Sequence, residues 1–425
     1  MSKLNQVFII GGLIRFLLPT IFPSIVEILG SKVEITTPIN AYKSLQEAFY
    51  YLQQGIDLYD GGVNHHPPIL VIILSFINAL PFNQIIFHLL YSLIDLFIAW
   101  RIVQLNRWYN DYNSKRIGKQ YIAFNDNLIA LFYLFNPLII ITNLSHSTIV
   151  FSWAFIMEAL NQVVLGRNTS RAMIALANAT YLSFTPIYLL APMLALAHSI
   201  GSEKKDYSKM YIHGLTIFIC TVGLLMILSF ASTASSQFFE QCYMTVILFK
   251  KITPNVGLWW YLFTEMFEFF TPFYVGMFNF YSIIYVIPIT LRLFEYKSTP
   301  KQGDSFLALV LVYLWVSFTK SYPTFGDLGL ALSIIPIFKN TIIPYCKFIY
   351  VTGLTLIITL LLSPIFYYCW IVLGNGNANF FYSINLLWGG VHILIIMDLI
   401  WGKLIYDYIL QNNISDITKL NLAQI

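Results

Sequence analysis

Charge is what this chain has least of. Only 10% of its 425 residues are Asp, Glu, Lys or Arg, against 58% that are hydrophobic, whereas a soluble domain carries about 25% charged and roughly 45–50% apolar residues. No polar stretch is long enough to bury a core of its own, which excludes a soluble enzyme domain. The four cysteines, Cys220, Cys242, Cys346 and Cys369, form no CxxC pair and sit within or beside apolar segments. They read as small core residues rather than as disulfides or metal ligands. GxGxxG and P-loop motifs are missing, which argues against a nucleotide-driven pump, and no internal repeat is found. Acid-x-acid triplets and adjacent acid pairs are missing too. The net charge of +4 is small and dispersed, so nucleic acid is not an expected partner.

What the chain does have is a succession of apolar segments of about 20 residues, the length of a membrane-crossing helix rather than of a barrel strand. The expected fold is an all-α polytopic membrane protein, a single domain over residues 1–425 with about eleven or twelve transmembrane or re-entrant helices. The opening MSKLNQVFIIGGLIRFLLPTIF carries Arg15 inside its apolar part and lacks a small-residue cleavage site, so it reads as a retained first span. Basic residues cluster at 101–119, at Arg167 and Arg171, at 204–209 and at 292–301, which marks those loops as cytosolic. Residues 23–66 hold Glu27, Glu34, Glu47, Asp57 and Asp60 against Lys32 and Lys43. That loop is expected on the luminal side, with the N- and C-termini cytosolic.

Parity then constrains the spans. Between the luminal loop and Arg101 lie two apolar pieces, and Pro67 to Leu80 is too short at about fourteen residues to cross about 30 Å of hydrocarbon. It is expected to be re-entrant or interfacial. Ala172 to His198, broken at Thr185-Pro186, reads as a pair of half-helices. Further spans are expected at 127–143, 147–165, 211–232, 257–294 with a break, 305–319, 325–343, 347–372 and 380–402. In the luminal loop, Thr37 as N-cap, Pro38 and a closing Gly55 predict a helix over about 38–54. Its Leu45, Ala48, Phe49 and Leu52 share one face, which is expected to lie on the membrane surface.

Few residues offer chemistry. Glu34, Asp57 and Asp60 read as solvated loop acids, and His65 and His66 as caps of the Pro67–Leu80 helix. No Ser/His/Asp or Cys/His set can be assembled by spacing, and no cofactor or metal is implied. Four N-x-Ser/Thr triplets, at Asn143, Asn168, Asn178 and Asn413, fall where glycosylation is not expected. Three polar islands remain. TPNVGLWWYLFTEMFEFF (253–270) holds Asn255, Trp259, Trp260, Glu265 and Glu268, with Lys250 and Lys251 just before it. FTKSYPTFGDLGL (318–330) holds Lys320, Tyr322 and Asp327, and a lysine and an aspartate at such a site are expected to pair. LGNGNANFFYSI (373–384) holds Asn375, Asn377 and Asn379 in a glycine-loosened turn. Glu265 and Glu268 are three residues apart, so on one helix both face the same way. Their desolvation cost directs that face into the protein.

These three islands, in this order, together with VEITTPINAYKSLQEA, GVNHHPPIL and LFYLFNPLIIIT, resemble the U-class subunit of the glycosylphosphatidylinositol (GPI) transamidase complex over nearly the whole chain. The resemblance implies a scaffold like the GT-C membrane mannosyltransferases in an endoplasmic reticulum protein that is itself non-catalytic. It further implies recognition of the GPI glycolipid, or of the C-terminal signal peptide of the precursor protein, beside other transamidase subunits that include a cysteine-protease-like catalytic one. The match departs at Asn64-His65-His66-Pro67-Pro68, where family members often carry the form His-Glu-Thr-Pro. Two other readings stay open at this point. One is an active GT-C-type mannosyltransferase using Glu34 or Asp60 as base; the other is a secondary transporter using Glu265, Lys320 and Asp327. As sites for a lipid ligand the sequence offers Asn255, Trp259, Trp260, Glu265, Glu268, Lys320, Tyr322, Asp327, Asn377 and Asn379.

Overall fold

The computed structural model describes residues 2–118, 123–201, 207–296, 302–412 and 414. The expected cytosolic lysines 119, 204, 205, 297 and 301 and the triplet at Asn413 lie outside the described residues. In chain order, α1 (Lys3–Ile21) and α2 (Ser24–Gly30) lead to α3 (Tyr42–Gln54), and α4 (Pro68–Asn78) to the long α5 (Asn83–Ile117). The middle of the chain is α6 (Asp126–Leu134), α7 (Pro137–Leu144), α8 (Ile149–Val164), α9 (Thr169–Ser183), α10 (Leu190–Ile200) and α11 (Tyr207–Thr233). After the single turn α12 (Thr245–Ile247) come α13 (Trp259–Glu265), α14 (Thr271–Ile284), α15 (Val286–Arg292), α16 (Ser305–Thr319) and α17 (Phe325–Ile334). The last two helices are α18 (Ile349–Tyr367) and α19 (Ala378–Gln411).

Among the described residues, six stretches are long and apolar enough to cross a membrane: Lys3–Ile21, Asn83–Ile117, Ser208–Thr233, Glu268–Arg292, Ile349–Val372 and Ala378–Gln411. The bent pair α6 and α7, and the shorter apolar helices Pro68–Asn78, Ile149–Val164, Thr185–Ile200, Ser305–Thr319 and Phe325–Phe338, complete the set that the hydropathy pattern anticipates. Helix is the form that satisfies every backbone N–H and C=O within its own segment, which an apolar surrounding demands. α19 runs nine residues past its expected end at 402, because its buried Lys403 Nζ donates to Asp407 Oδ1 at 2.6 Å and neutralises both charges.

Arg15, the residue out of place in a first span, is fully buried and ion-paired with Asp95 of α5. Its Nη1 donates to the Leu134 carbonyl at 2.9 Å, and the Tyr133 hydroxyl donates to Asp95 Oδ1 at 3.0 Å. One charge pair thus locks α1, α5 and α6 together. The bend of 52° between α6 and α7 falls at Asn136-Pro137. Asn136 Oδ1 caps α7 through the Leu138 N–H, and its Nδ2 donates to the Gly329 carbonyl of α17 at 3.0 Å.

The other expected break, between α9 and α10, sits at Phe184 (φ 55°) and Thr185-Pro186. Packing of α17 on α7 is close. A Cβ on Gly329 would stand 2.8 Å from Leu138 Cβ, and one on Gly326 would stand 2.5 Å from Thr142 Oγ1.

Three expectations fail in the segment before α4. The loop helix starts at Tyr42, not at Pro38, because Thr37 does not cap it: the Thr37 N–H donates to Asn40 Oδ1 at 2.8 Å, closing a turn instead. Gly55 does end it in the left-handed region (φ 69°). Leu45, Ala48 and Phe49 are buried in the main core and Phe49 stacks on Phe87, while Leu52 of the same face is exposed, so most of this face serves the protein core rather than a membrane surface. Glu34 is no solvated acid either. It is 3% exposed and accepts a hydrogen bond from Ser363 Oγ of α18 at 3.0 Å, and burial raises its pKa above the usual carboxylate value. Asp57 and Asp60 are exposed, as expected.

Candidate functional site

The three polar islands meet. Asn255 turns the first island by accepting the Gly257 N–H at 2.7 Å, while its Nδ2 donates to the Ser321 carbonyl of the second at 3.3 Å. Just past the third, Asn385 Nδ2 donates to the Asn255 carbonyl at 2.6 Å. Trp259 Nε1 donates to the Thr319 carbonyl at 2.8 Å, and Trp260 stacks on Trp370 with centroids 5.6 Å apart. Asn255, Trp259 and Trp260 are therefore buried structural residues that hold the islands in register. Lys251 ties the first loop to the second island: its Nζ donates to the Gly62 carbonyl, and its carbonyl accepts from the Tyr322 hydroxyl at 2.8 Å. Asn377 and Asn379 are exposed at the start of α19, where Asn377 accepts the Asn379 N–H at 3.1 Å and Tyr261 donates to Asn379 Oδ1.

Glu265 and Glu268 stand apart from this arrangement. α13 ends at Glu265, Met266 and Phe267 are extended, and Glu268 opens a separate turn, so the two acids do not share a helix. Both are exposed. Trp259, Trp260 and Phe263 take the inward face of α13, and at about 100° per residue Glu265 falls on the opposite side. The inward-facing acidic pair expected from spacing alone is thus displaced by the aromatic residues that compete for the same face. This also removes Glu265 from the ion-coupling set of the transporter reading.

Lys320 and Asp327 do pair, with Nζ 2.7 Å from Oδ1 and both side chains buried. Asp327 is committed twice. Its Oδ2 accepts the Thr324 N–H at 2.8 Å and the Thr324 hydroxyl at 3.0 Å, forming the capping box that starts α17. The residue after this cap donates its N–H to the Glu34 carbonyl at 2.8 Å, which ties the long first loop to the same place.

Around Lys320 lie two adjoining cavities that share Ile149, Ser183, Thr185 and Lys320. The inner one, small at about 20 Å³, is lined by Ser152, Trp153, Tyr313, Ser317 and Asp327 among others. The outer one, small at about 30 Å³, is lined by Thr37, Asn40, Thr148, Ser183, Thr185, Ser321 and Tyr322 with three apolar side chains besides Ile149, and Lys320 is the charged residue in that lining. Such a surface can accept from and donate to the hydroxyls of a polyol and can meet one anion.

Of the ten residues singled out by sequence, Lys320, Tyr322 and Asp327 line this cleft and the others surround or leave it. Sequence reasoning missed Thr148, Ser152, Ser183 and Ser317, single hydroxyls inside apolar helices or their ends that carry no local signal. The broken span was the available clue, since irregular backbone at depth lines cavities.

His65 and His66 support the rim rather than capping at an interface. His66 Nε2 donates to the Ala41 carbonyl at 3.1 Å with its Nδ1 3.3 Å from the Thr148 hydroxyl, and His65 Nδ1 donates to the Gln241 carbonyl at 2.7 Å. Burial lowers the pKa of each to about 4, so both are neutral at pH 7.

The model of the family described as GPI transamidase subunit PIG-U matches residues 9–388. The GPI transamidase component GAB1 of Saccharomyces cerevisiae is 34% identical over 412 residues, which cover 97% of this chain and 96% of that one. The GPI-anchor transamidase component PIGU of Homo sapiens is 27% identical over 417 residues, 92% of each chain. The GPI transamidase component GAB1 homolog of Schizosaccharomyces pombe is 27% identical over 399 residues, 90% of each. With a match over most of its length and a relative above 30% identity, the chain belongs to the GPI transamidase subunit PIG-U family.

Proposed function

We propose that this chain is a non-catalytic subunit of the GPI transamidase complex in the endoplasmic reticulum membrane, and that its cleft receives the head group of the GPI glycolipid. The observation that carries this reading is the family match across residues 9–388. A cleft lined by hydroxyls, one amide and one lysine beside Ile39, Ile149, Leu182 and Val246 suits a glycolipid, with its phosphates, hydroxyls and acyl chains, better than it suits the largely apolar signal peptide of a precursor protein, and this favours the lipid as the ligand. The absence of a role in bond cleavage is supported by Asp327, the carboxylate in the cleft lining, being held by Lys320 and by the capping box. Transfer chemistry then belongs to another, cysteine-protease-like subunit. In this reading the cleft opens toward the lumen and both termini are cytosolic.

Depleting the protein from cells tests this. Complete GPI precursors accumulate while precursor proteins stay unattached, and the protein purified in mild detergent brings other transamidase subunits with it. An under-mannosylated precursor in its place would support the mannosyltransferase reading, and a protein that purifies alone would sink the subunit reading.

A further inference from the structure

The Lys320–Asp327 pair is arranged so that it can open. Asp327 uses its two oxygens separately: Oδ1 meets Lys320, while Oδ2 is filled by the Thr324 N–H and hydroxyl. If Lys320 moves away, Asp327 keeps two hydrogen bonds and α17 keeps its cap. Removing the partner of a buried charge is ordinarily prohibitive because it leaves that charge bare, and the capping box lowers that cost here. The two ends of the pair also differ in what they face. Lys320 lines both cavities, whereas Asp327 lines the inner one only. Lys320 thus enters the lining of the outer cavity without Asp327, alongside Thr37, Thr148, Ser183 and Tyr322, whose hydroxyls already have partners within the protein. A buried cation presented to a polar cavity is a site for an anion.

We infer that Lys320 is the phosphate anchor of the outer cavity, docked on Asp327 when the cleft is empty and turned onto a phosphodiester of a polyhydroxylated head group when it is filled. This rests on the reading that the cleft takes the GPI head group, and it adds the contact that selects a phosphorylated ligand over a neutral glycan. No bond is made or broken; Asp327 is a positioning residue that stores the lysine.

The test uses the complex purified in mild detergent and two small probes, myo-inositol 1-phosphate and uncharged myo-inositol, with binding followed by ligand-observed NMR. Wild type is expected to favour the phosphate about tenfold or more, the scale of one charge-assisted contact. Lys320→Met removes that preference and leaves the weak inositol binding in place, while Lys320→Arg retains it. Asp327→Asn, whose amide oxygen can still accept the Thr324 N–H, frees the lysine and tightens phosphate binding several-fold. The double variant K320M/D327N carries no unpaired charge, so it folds even if K320M alone does not, and it shows no phosphate preference.

A folded K320M, or the double variant, that still prefers phosphate overturns the anchor while leaving the head-group reading intact. Weaker phosphate binding by D327N overturns the storage role. If neither probe binds wild type, the head-group reading itself fails and the anchor falls with it.

Discussion

At the scale of single residues, buried polar groups set the sensitivities of this molecule. Asp95 is fully buried between Arg15 and Tyr133. Asp95→Ala leaves the Arg15 guanidinium in a dry core, and the expected loss is about 3–5 kcal/mol, enough to abolish accumulation of folded protein measured by fluorescence-detected size exclusion. The double replacement Arg15→Met with Asp95→Leu removes both charges and is expected to recover most of it.

His65 and His66 give a pH effect whose sign follows from burial. Their pKa of about 4 lies below the ordinary value of 6.5. Between those limits the unfolded chain binds protons that the folded chain does not, so stability is full above about pH 6.5 and falls as the pH drops toward 4. A thermal-shift series in detergent should show the melting midpoint dropping from pH 7.5 to 5. His66→Gln keeps a donor for the Ala41 carbonyl and should flatten that slope.

Among the elements, what was legible in sequence and what was not divides along physical lines. Spans, breaks and the Lys320–Asp327 pairing were legible, because length, Pro position and the cost of a lone buried charge are local arguments. The fates of the glutamates were not. Glu265 and Glu268 read as one inward face from their spacing on an assumed single helix, whereas that helix ends at Glu265 and Trp259, Trp260 and Phe263 take the core. Glu34 looked solvated because its partner Ser363 lies 329 positions along the chain. Loop helix α3 carried an honest amphipathic pattern, but a pattern cannot say whether its apolar face meets lipid or protein.

Two expectations follow for these elements. The exposed carboxylates at 265 and 268 contribute little to the isolated fold, so Glu265→Gln with Glu268→Gln should change stability by no more than about 0.5 kcal/mol. Gly329 is different: with Leu138 Cβ 2.8 Å from where its own Cβ would stand, neither atom can swing aside. Gly329→Ala should push α17 off α7 at a cost of about 1–3 kcal/mol, read as a lower melting temperature.

For the whole molecule, the decisive property is the sidedness of its charge. One end of the bundle gathers Ser2, Lys3 and Arg107 around a common groove in which Asp126 pairs with Arg107 at 2.6 Å, and further along α5 Arg116 pairs with Glu295 at 3.3 Å. The opposite end holds the loop from Glu34 to His66, the island junction and the cleft around Lys320. Lys and Arg at the mouths of spans are retained on the cytosolic side, so the basic end is expected there and the cleft is expected on the luminal side, where the proposed glycolipid head group would be met.

Single cysteines can test that orientation in sealed endoplasmic reticulum vesicles with a membrane-impermeant maleimide, in a background with the four native cysteines replaced. Ser2→Cys, beside the basic groove, should label in intact vesicles. Asp60→Cys, exposed in the long first loop, should label only after detergent opens them. Labelling of position 60 in intact vesicles, with position 2 protected, would invert the molecule and turn the cleft toward the cytosol, leaving it on the wrong side for the head group proposed to enter it.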